Sequence, residues 1–107
     1  MGWKVQLLDD KVKAALDALP NDIRARFERI VNLIQTNGLE CVREPYVKHL
    51  EGRLWEMRMK GKDGIARAIY VTASGERVIV VHAFAKKTQK TPRREIETAL
   101  KRAKEIP

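Results

Sequence analysis

Residues 54–85 read LWEMRMKGKDGIARAIYVTASGERVIVVHAFA, and their pattern predicts the central part of the fold. Between Leu54 and Lys60 apolar and polar side chains alternate, which places them on opposite faces of a strand. Two short turns containing glycine separate this segment from two further apolar segments, 65–72 and 77–85. Three strands joined by short turns predict an antiparallel meander. The third segment is apolar on both faces, so we expect both of its faces to be covered.

The residues before the meander predict one strand and two helices. Residues 3–7 alternate between apolar and polar side chains, which is typical of a strand. Two amphipathic helices are predicted next, the first capped by Asp9 or Asp10 and the second by Asn21 or Asp22. The N-terminal part of the chain is therefore expected to be a strand followed by a helical hairpin.

The residues after the meander predict a final helix. Thr91 and Pro92 fit the cap and the first position of a helix that carries a narrow apolar stripe. The predicted element order is then β-α-α-β-β-β-α. This is an α+β fold in which an antiparallel sheet packs against an N-terminal helical hairpin and a C-terminal helix. A chain of 107 residues is expected to form a single domain, residues 1–107.

The charge of the chain suggests a polyanionic partner. Twenty-two Lys and Arg against fourteen Asp and Glu give a net charge of +8, which is typical of proteins that bind nucleic acid. The excess lies in two blocks, residues 42–67 with a net charge of +3 and residues 86–104 with +6. If the two blocks meet in the fold, they form one positive surface.

Other features of the composition exclude whole classes of protein. The single cysteine, Cys41, excludes an internal disulfide and a zinc cluster built on cysteines. The apolar runs are too short to span a membrane, and the first residues do not match a signal peptide. We therefore expect a cytoplasmic protein without a membrane association. No phosphate-binding glycine motif and no metal-ligand spacing occurs in the sequence, so no cofactor and no metal are expected.

The remaining polar residues suit one kind of chemistry, the cleavage of RNA through its own 2′-hydroxyl. Such cleavage needs a base to accept the proton of the hydroxyl, and Glu56 or His49 could serve. It also needs cations against the charge that develops on the phosphate. The candidate cations are Arg67, Arg58, Lys86 and Lys87. The alternative for Glu56 is a structural salt bridge with Arg58 or Arg67.

Three segments carry a resemblance to a known family. They are KHLEGRLWEMR at residues 48–58, GIARAIY at 64–70 and HAFAKKTQKTP at 82–92. With them the chain resembles the RelE/ParE toxin superfamily, in particular the phage-derived RelE-like and HigB-like toxins of type II toxin–antitoxin systems. The resemblance covers nearly the whole chain in the same element order.

The resemblance implies a ribosome-dependent mRNA endonuclease (an mRNA interferase) that inhibits translation. It implies the 70S ribosome and mRNA as partners, and a cognate antitoxin of helix-turn-helix type, through which promoter DNA is bound. It places Arg67 and Lys86 or Lys87 at the scissile phosphate, and Lys48 or His49 before the Trp-bearing strand. The residues expected to bind RNA are Lys48, Arg58, Lys60, Lys90, Arg93 and Arg94.

Two other functions remain open from the sequence. One is a ParE-like inhibitor of DNA gyrase, which would share the fold without a nuclease site. The other is a nucleic-acid-binding module without catalysis, which would use the basic C-terminal helix. A nuclease should bring Arg67 and Lys86 together on Glu56 in a concave site, whereas a simple binding module should spread its charge along the helix.

Overall fold

The computed structural model describes residues 2–86 and 90–107. In these residues the chain alternates between strands and helices, with two helices near the start and one at the end. The elements are β1 (Lys4–Leu7), α1 (Asp10–Asp17), α2 (Asn21–Asn37), a 3-10 turn (Leu39–Cys41), β2 (Val47–Glu51), β3 (Leu54–Lys60), β4 (Ile65–Ala73), β5 (Arg77–Lys86) and α3 (Arg93–Ala103).

The strands of the described residues form one mixed sheet in the order β1-β5-β4-β3-β2. Strands β2 to β5 pair antiparallel, as the meander predicts, and β1 pairs parallel to β5. The α+β fold class is confirmed. The sequence prediction missed β2 and the parallel position of β1 at the edge of the sheet.

Helices cover both faces of the sheet, because side chains alternate between the two faces along each strand. One face packs against α1 and α2, and its buried residues include Met57, Tyr70 and Val80. The other face packs against α3, and its buried residues include Ile69 and Val81. The third meander strand, β5, is therefore covered on both faces, as predicted.

The helix starts agree with the sequence only in part. Asp9 caps α1, because its carboxylate accepts a hydrogen bond from the Val12 amide at 3.0 Å. The cap position of α2 is Pro20, not Asn21 or Asp22. The cap position of α3 is Pro92, so the prediction that Thr91 caps this helix is wrong. The Thr91 hydroxyl is bonded to a buried carboxylate instead.

No helix within residues 2–86 and 90–107 is both long and apolar enough to cross a bilayer.

Candidate functional site

The candidate site is built on neighbouring positions of β3 and β4. Glu56 and Arg58 are two residues apart on β3, so their side chains share a face, and Arg58 pairs directly with Arg67 on β4. The Arg67 Nε lies 3.3 Å from Glu56 Oε2, and the Arg58 Nε lies 3.8 Å from the same oxygen. Glu56 and Arg67 are each only 3% exposed, so this is a buried ion pair.

Thr91 completes the surroundings of the Glu56 carboxylate. Its hydroxyl donates a hydrogen bond to Glu56 Oε1 at 2.6 Å, and the residue is buried. Both carboxylate oxygens therefore face donors, Oε1 the threonine and Oε2 the two arginines. Because Thr91 follows β5 in the chain, this bond fixes the segment that leads into α3 against β3.

The environment of Arg67 disfavours its charged form and leaves its hydrogen bonding incomplete. Burial lowers the pKa of its guanidinium, and the nearby Glu56 carboxylate raises it in part. The Arg67 Nε is buried without a hydrogen-bond partner, since its N–H is not aligned with the carboxylate 3.3 Å away. The Nη1 donates to the Ala66 carbonyl at 3.2 Å. The carboxylate thus neutralises Arg67 without satisfying all of its donors.

Lys86 brings a further cation to the same face. It is the last residue of β5 and is two positions beyond Phe84, which pairs with Arg67. The side chain is buried, and this burial is the main cause that lowers the pKa of Lys86. The positive charge of Arg67 lowers that pKa further, because a second cation nearby disfavours the protonated amine. The first of the two basic groups after β5 is therefore close to Arg67.

Two residues of this cluster, Arg58 and Arg67, also line a groove of about 800 Å³. It lies between α2, the segment before β2 and the turn joining β3 to β4. Arg58 and Arg67 line it together with other cations and a single acidic residue, Asp22. The other cations of the lining are Arg26, Arg29, Lys60 and Lys62.

His49 lies away from Glu56. It pairs opposite Trp55 on β3, so it shares the face of Trp55 rather than that of Glu56. Its Nε2 is 2.8 Å from the Gly52 carbonyl, and its ring lies 5.0 Å from the Trp55 ring. His49 lines a second cavity of about 700 Å³, whose surface is mainly apolar and includes Trp3 and Tyr70. The structure does not bring His49 to the cationic cluster.

The residues expected to bind RNA are divided between two regions. Lys60 lines the basic groove, and Lys48 is exposed opposite Glu56 in the β2–β3 pairing. Arg93 forms ion pairs with Glu51 and Glu97, at 2.5 and 3.4 Å. The other two expected to bind RNA, Lys90 and Arg94, are both exposed. Lys87, which was predicted at the scissile phosphate, lies outside the described residues.

His82 connects the sheet to α3. Its Nε2 is 2.7 Å from Glu95 Oε1, and its Nδ1 is 3.3 Å from Arg102 Nη1. Arg102 also donates to the Val81 carbonyl at 2.9 Å. These contacts give both ring nitrogens of His82 a partner, and they anchor α3 to β5.

Sequence reasoning missed several residues at the site. Thr91 was assigned to a helix cap, and nothing in its local sequence points to a carboxylate on a distant strand. Arg26 and Arg29 are three residues apart on α2, a spacing that puts them on one side of the helix and could have been noticed. Tyr46, the aromatic residue of the groove, follows Pro45 in a segment without regular periodicity.

Comparison with known proteins identifies the family. The family model described as Phage derived protein Gp49-like (DUF891) matches residues 14–104. The archaeal RelE–RelB complex from Pyrococcus horikoshii OT3 has a chain that is similar in fold, with a TM-score of 0.58 at 23% identity. The match covers 79% of this chain and 96% of that one. No curated protein matches the chain. The chain therefore belongs to the phage-derived Gp49-like family and has a RelE-like fold.

Proposed function

We propose that the chain is the toxin of a type II toxin–antitoxin pair, and that it cleaves mRNA on the ribosome. The observation that carries this proposal is the buried Glu56–Arg67 ion pair with Arg58 and Lys86 beside it, of which Arg58 and Arg67 also line a groove rich in cations. A binding module without catalysis has no need to bury charged groups at a cost in solvation. Buried and mutually perturbed charges in a groove are typical of a reactive site.

The reaction that this cluster supports is an internal phosphoryl transfer within the RNA. The 2′-hydroxyl gives its proton to solvent water as its oxygen forms a bond to phosphorus, the bond from phosphorus to the 5′-oxygen breaks, and the products are a cyclic 2′,3′-phosphate and a 5′-hydroxyl. Arg67 and Lys86 offset the negative charge that develops on the phosphate oxygens. Lys86, whose pKa is lowered by burial, also supplies a proton to the departing 5′-oxygen.

The role of Glu56 in this proposal is to position Arg67. A general base needs a free oxygen to accept the proton of the hydroxyl, and both oxygens of Glu56 already face donors. Its carboxylate fixes the Arg67 guanidinium and, through Thr91, the segment after β5. His49, on the other face, does not act as the base from this position. Most of the rate enhancement then comes from charge stabilisation and from the ribosome, which holds the mRNA in line for attack.

The partners of the chain follow from the same proposal. The matched structure is a complex of RelE with RelB, which supports a cognate antitoxin for this chain as well. We infer a small helix-turn-helix antitoxin that neutralises the toxin in the cytoplasm, and promoter DNA bound only through the complex. Residues 1–107 act as one toxin domain.

An in vitro translation reaction with 5′-labelled mRNA tests the proposal. The wild-type chain should cut mRNA only when ribosomes are present. Arg67→Ala should lower the cleavage rate by roughly 100-fold or more, as is usual when a preorganised charge-stabilising donor is removed. The matched control is Lys101→Ala, which removes an exposed cation of α3 and should cut at the wild-type rate.

A second variant separates activity from folding. Arg67→Ala leaves the buried Glu56 without its closest cation, which typically costs about 3–5 kcal/mol of stability. Arg67→Lys keeps a positive charge beside Glu56 but loses the planar guanidinium, so it should fold and still cut slowly. Intact mRNA in the wild-type reaction, together with inhibition of DNA supercoiling by gyrase, would contradict the nuclease and favour a ParE-like toxin.

A further inference from the structure

We infer that the outer part of the basic groove is a second RNA-binding site, in which Arg26 and Arg29 hold the phosphate backbone and the Tyr46 ring stacks on a base. The inference rests on the proposed function, because it takes the ligand of the site to be single-stranded RNA. It adds a binding segment to a cluster that would otherwise contact only the scissile phosphate.

The cations of the outer groove are available to a ligand. Arg26, Arg29, Lys60 and Lys62 form no ion pair with any residue in the ranges 2–86 and 90–107. The acidic residue of the lining, Asp22, already accepts hydrogen bonds from the amides of Lys62 and Ile23. Four cations facing one carboxylate leave the groove strongly positive.

The arrangement on α2 fits a backbone that runs along the helix. Arg26 and Arg29 are three residues apart, so their Cβ atoms are about 5–6 Å apart on one side of the helix. The adjacent side of α2 carries Ile23, Ile30 and Ile34, which are buried against the sheet, so the two arginines lie at the edge of the buried face. Two exposed arginines side by side can contact two successive phosphates. The planar guanidinium of each can donate two parallel hydrogen bonds to one phosphate.

Tyr46 is connected to the reactive cluster through a backbone hydrogen bond with Arg58. Its carbonyl accepts a hydrogen bond from the Arg58 amide at 2.8 Å, and its own amide donates to the Arg43 carbonyl at 2.9 Å. These bonds fix the backbone on both sides of the residue, while the residue remains 37% exposed at the groove. A rigid backbone carrying an exposed aromatic ring beside cations is the combination that proteins use to bind single-stranded nucleic acid.

An acidic peptide could also be attracted by the charge of the groove, but the aromatic ring favours RNA. A peptide carboxylate requires only the cations. The exposed ring of Tyr46 gives a flat surface that every nucleobase can stack on, in addition to the phosphate contacts. We therefore assign single-stranded RNA as the ligand.

Fluorescence anisotropy with the intact chain and two labelled RNAs, of 3 and 12 nucleotides, tests the inference without ribosomes. The double variant Arg26→Ala/Arg29→Ala should weaken binding of the longer RNA roughly 10-fold at low salt, and of the shorter one less than about twofold. It should also lower the slope of log Kd against log salt by about 1.4, the change for two lost phosphate contacts on a single strand. The matched control, Lys101→Ala/Lys104→Ala, removes the same charge from α3 and should leave the slope unchanged.

The Tyr46 variants separate stacking from charge. Tyr46→Ala should weaken binding of the longer RNA roughly 10-fold with no change in the salt slope, whereas Tyr46→Phe should bind within about twofold of wild type. Equal losses in the control pair would show general electrostatics and overturn the inference. It would also be overturned if the wild-type chain failed to bind the longer RNA, or if the groove variants affected only an oligoglutamate peptide.

The two proposals can fail separately. Groove-dependent binding of the longer RNA with no cleavage on ribosomes would retain the binding site and reject the nuclease. Cleavage on ribosomes that is unchanged by the groove variants, with unchanged binding of the longer RNA, would retain the nuclease and reject the second site.

Discussion

The single residue Lys86 lowers the stability of the fold because its charge is buried. Its ammonium group is buried close to Arg67, and both conditions lower its pKa from the ordinary value of 10.5. A lysine whose pKa is lower in the folded than in the unfolded chain binds fewer protons when folded, so it destabilises the fold while it is charged. In the proposed reaction Lys86 stabilises the negative charge on the phosphate, so activity and stability conflict at this residue.

Lys86→Met should therefore raise the free energy of unfolding at pH 7. The difference from wild type should shrink as the pH rises from the lowered pKa of Lys86 towards 10.5, because both states of the wild-type chain then lose the proton. Urea unfolding at several pH values between 7 and 11 measures this difference. Lys101→Met, at an exposed position, is the control. A stabilisation that stays constant over this pH range would contradict the account.

The positions of Glu56, Arg58 and Arg67 could be predicted from the sequence, but their burial could not. The period of two placed Glu56 and Arg58 on one face, and the composition of the next strand singled out Arg67. Burial could not be predicted, because it depends on α3 and on the segment carrying Thr91, which folds back from 35 residues further along the chain. His49 looked available as a base, and only the register of β2 on β3 shows that it points to the other face.

At the scale of elements, the groove depends on how closely the β3–β4 turn approaches α2. The Lys62 amide donates to Asp22 Oδ2 at 2.5 Å, which ties the turn to the first turn of the helix. A Cβ placed on Gly61 would lie 2.6 Å from Ile23 Cγ1 and 2.7 Å from Asp22 Oδ2. Because Ile23 is buried, it has little room to move.

Gly61→Ala should consequently destabilise the fold by about 1–3 kcal/mol, the usual cost of overpacking. Gly64→Ala, in the same turn, meets no atom within 4 Å and should change stability by less than about 0.5 kcal/mol. Chemical denaturation of the two variants measures the difference. Equal losses of stability in the two variants would show that Gly61 is not in close contact with α2, and would contradict this account of how the turn approaches the helix.

The elements that the sequence missed were those without a local signal. The first strand of the meander alternates with a period of two, the next two are apolar segments bounded by turns that contain glycine, and all three were predicted nearly to the residue. Strand β2 is an edge strand with exposed Lys48 and His49, and its pairing is irregular between His49 and Glu51, so no apolar alternation marks it. The parallel pairing of β1 with β5 joins residues more than 70 positions apart, such as Lys4 and Arg77, and no local pattern encodes it.

For the whole molecule, the fold decides which part of the +8 charge is available. The basic C-terminal block was expected to bind RNA, yet several of its groups contact the protein itself. Arg93 pairs with Glu51, and Arg102 donates to the Val81 carbonyl. Arg53, from the first basic block, donates to the carbonyl of Ile106 at 2.8 Å. Arg26, Arg29, Lys60 and Lys62 form no ion pair within residues 2–86 and 90–107, and they line the groove between α2 and β3, so positive charge is concentrated there.

When the whole molecule holds its substrate, the chain brings cations to the phosphate, and the RNA has to bring the nucleophile. The Thr91 hydroxyl donates a hydrogen bond to Glu56, so we do not expect it to attack a phosphate. An mRNA with a single 2′-O-methyl group on the nucleotide 5′ to the scissile phosphate should thus resist cutting there by at least about 100-fold, while cuts at unmodified positions continue. Primer extension on ribosomes programmed with the two mRNAs measures this. Cutting that persists at the methylated nucleotide would require attack by water or by a protein side chain, and the roles given to Arg67 and Lys86 would then be wrong.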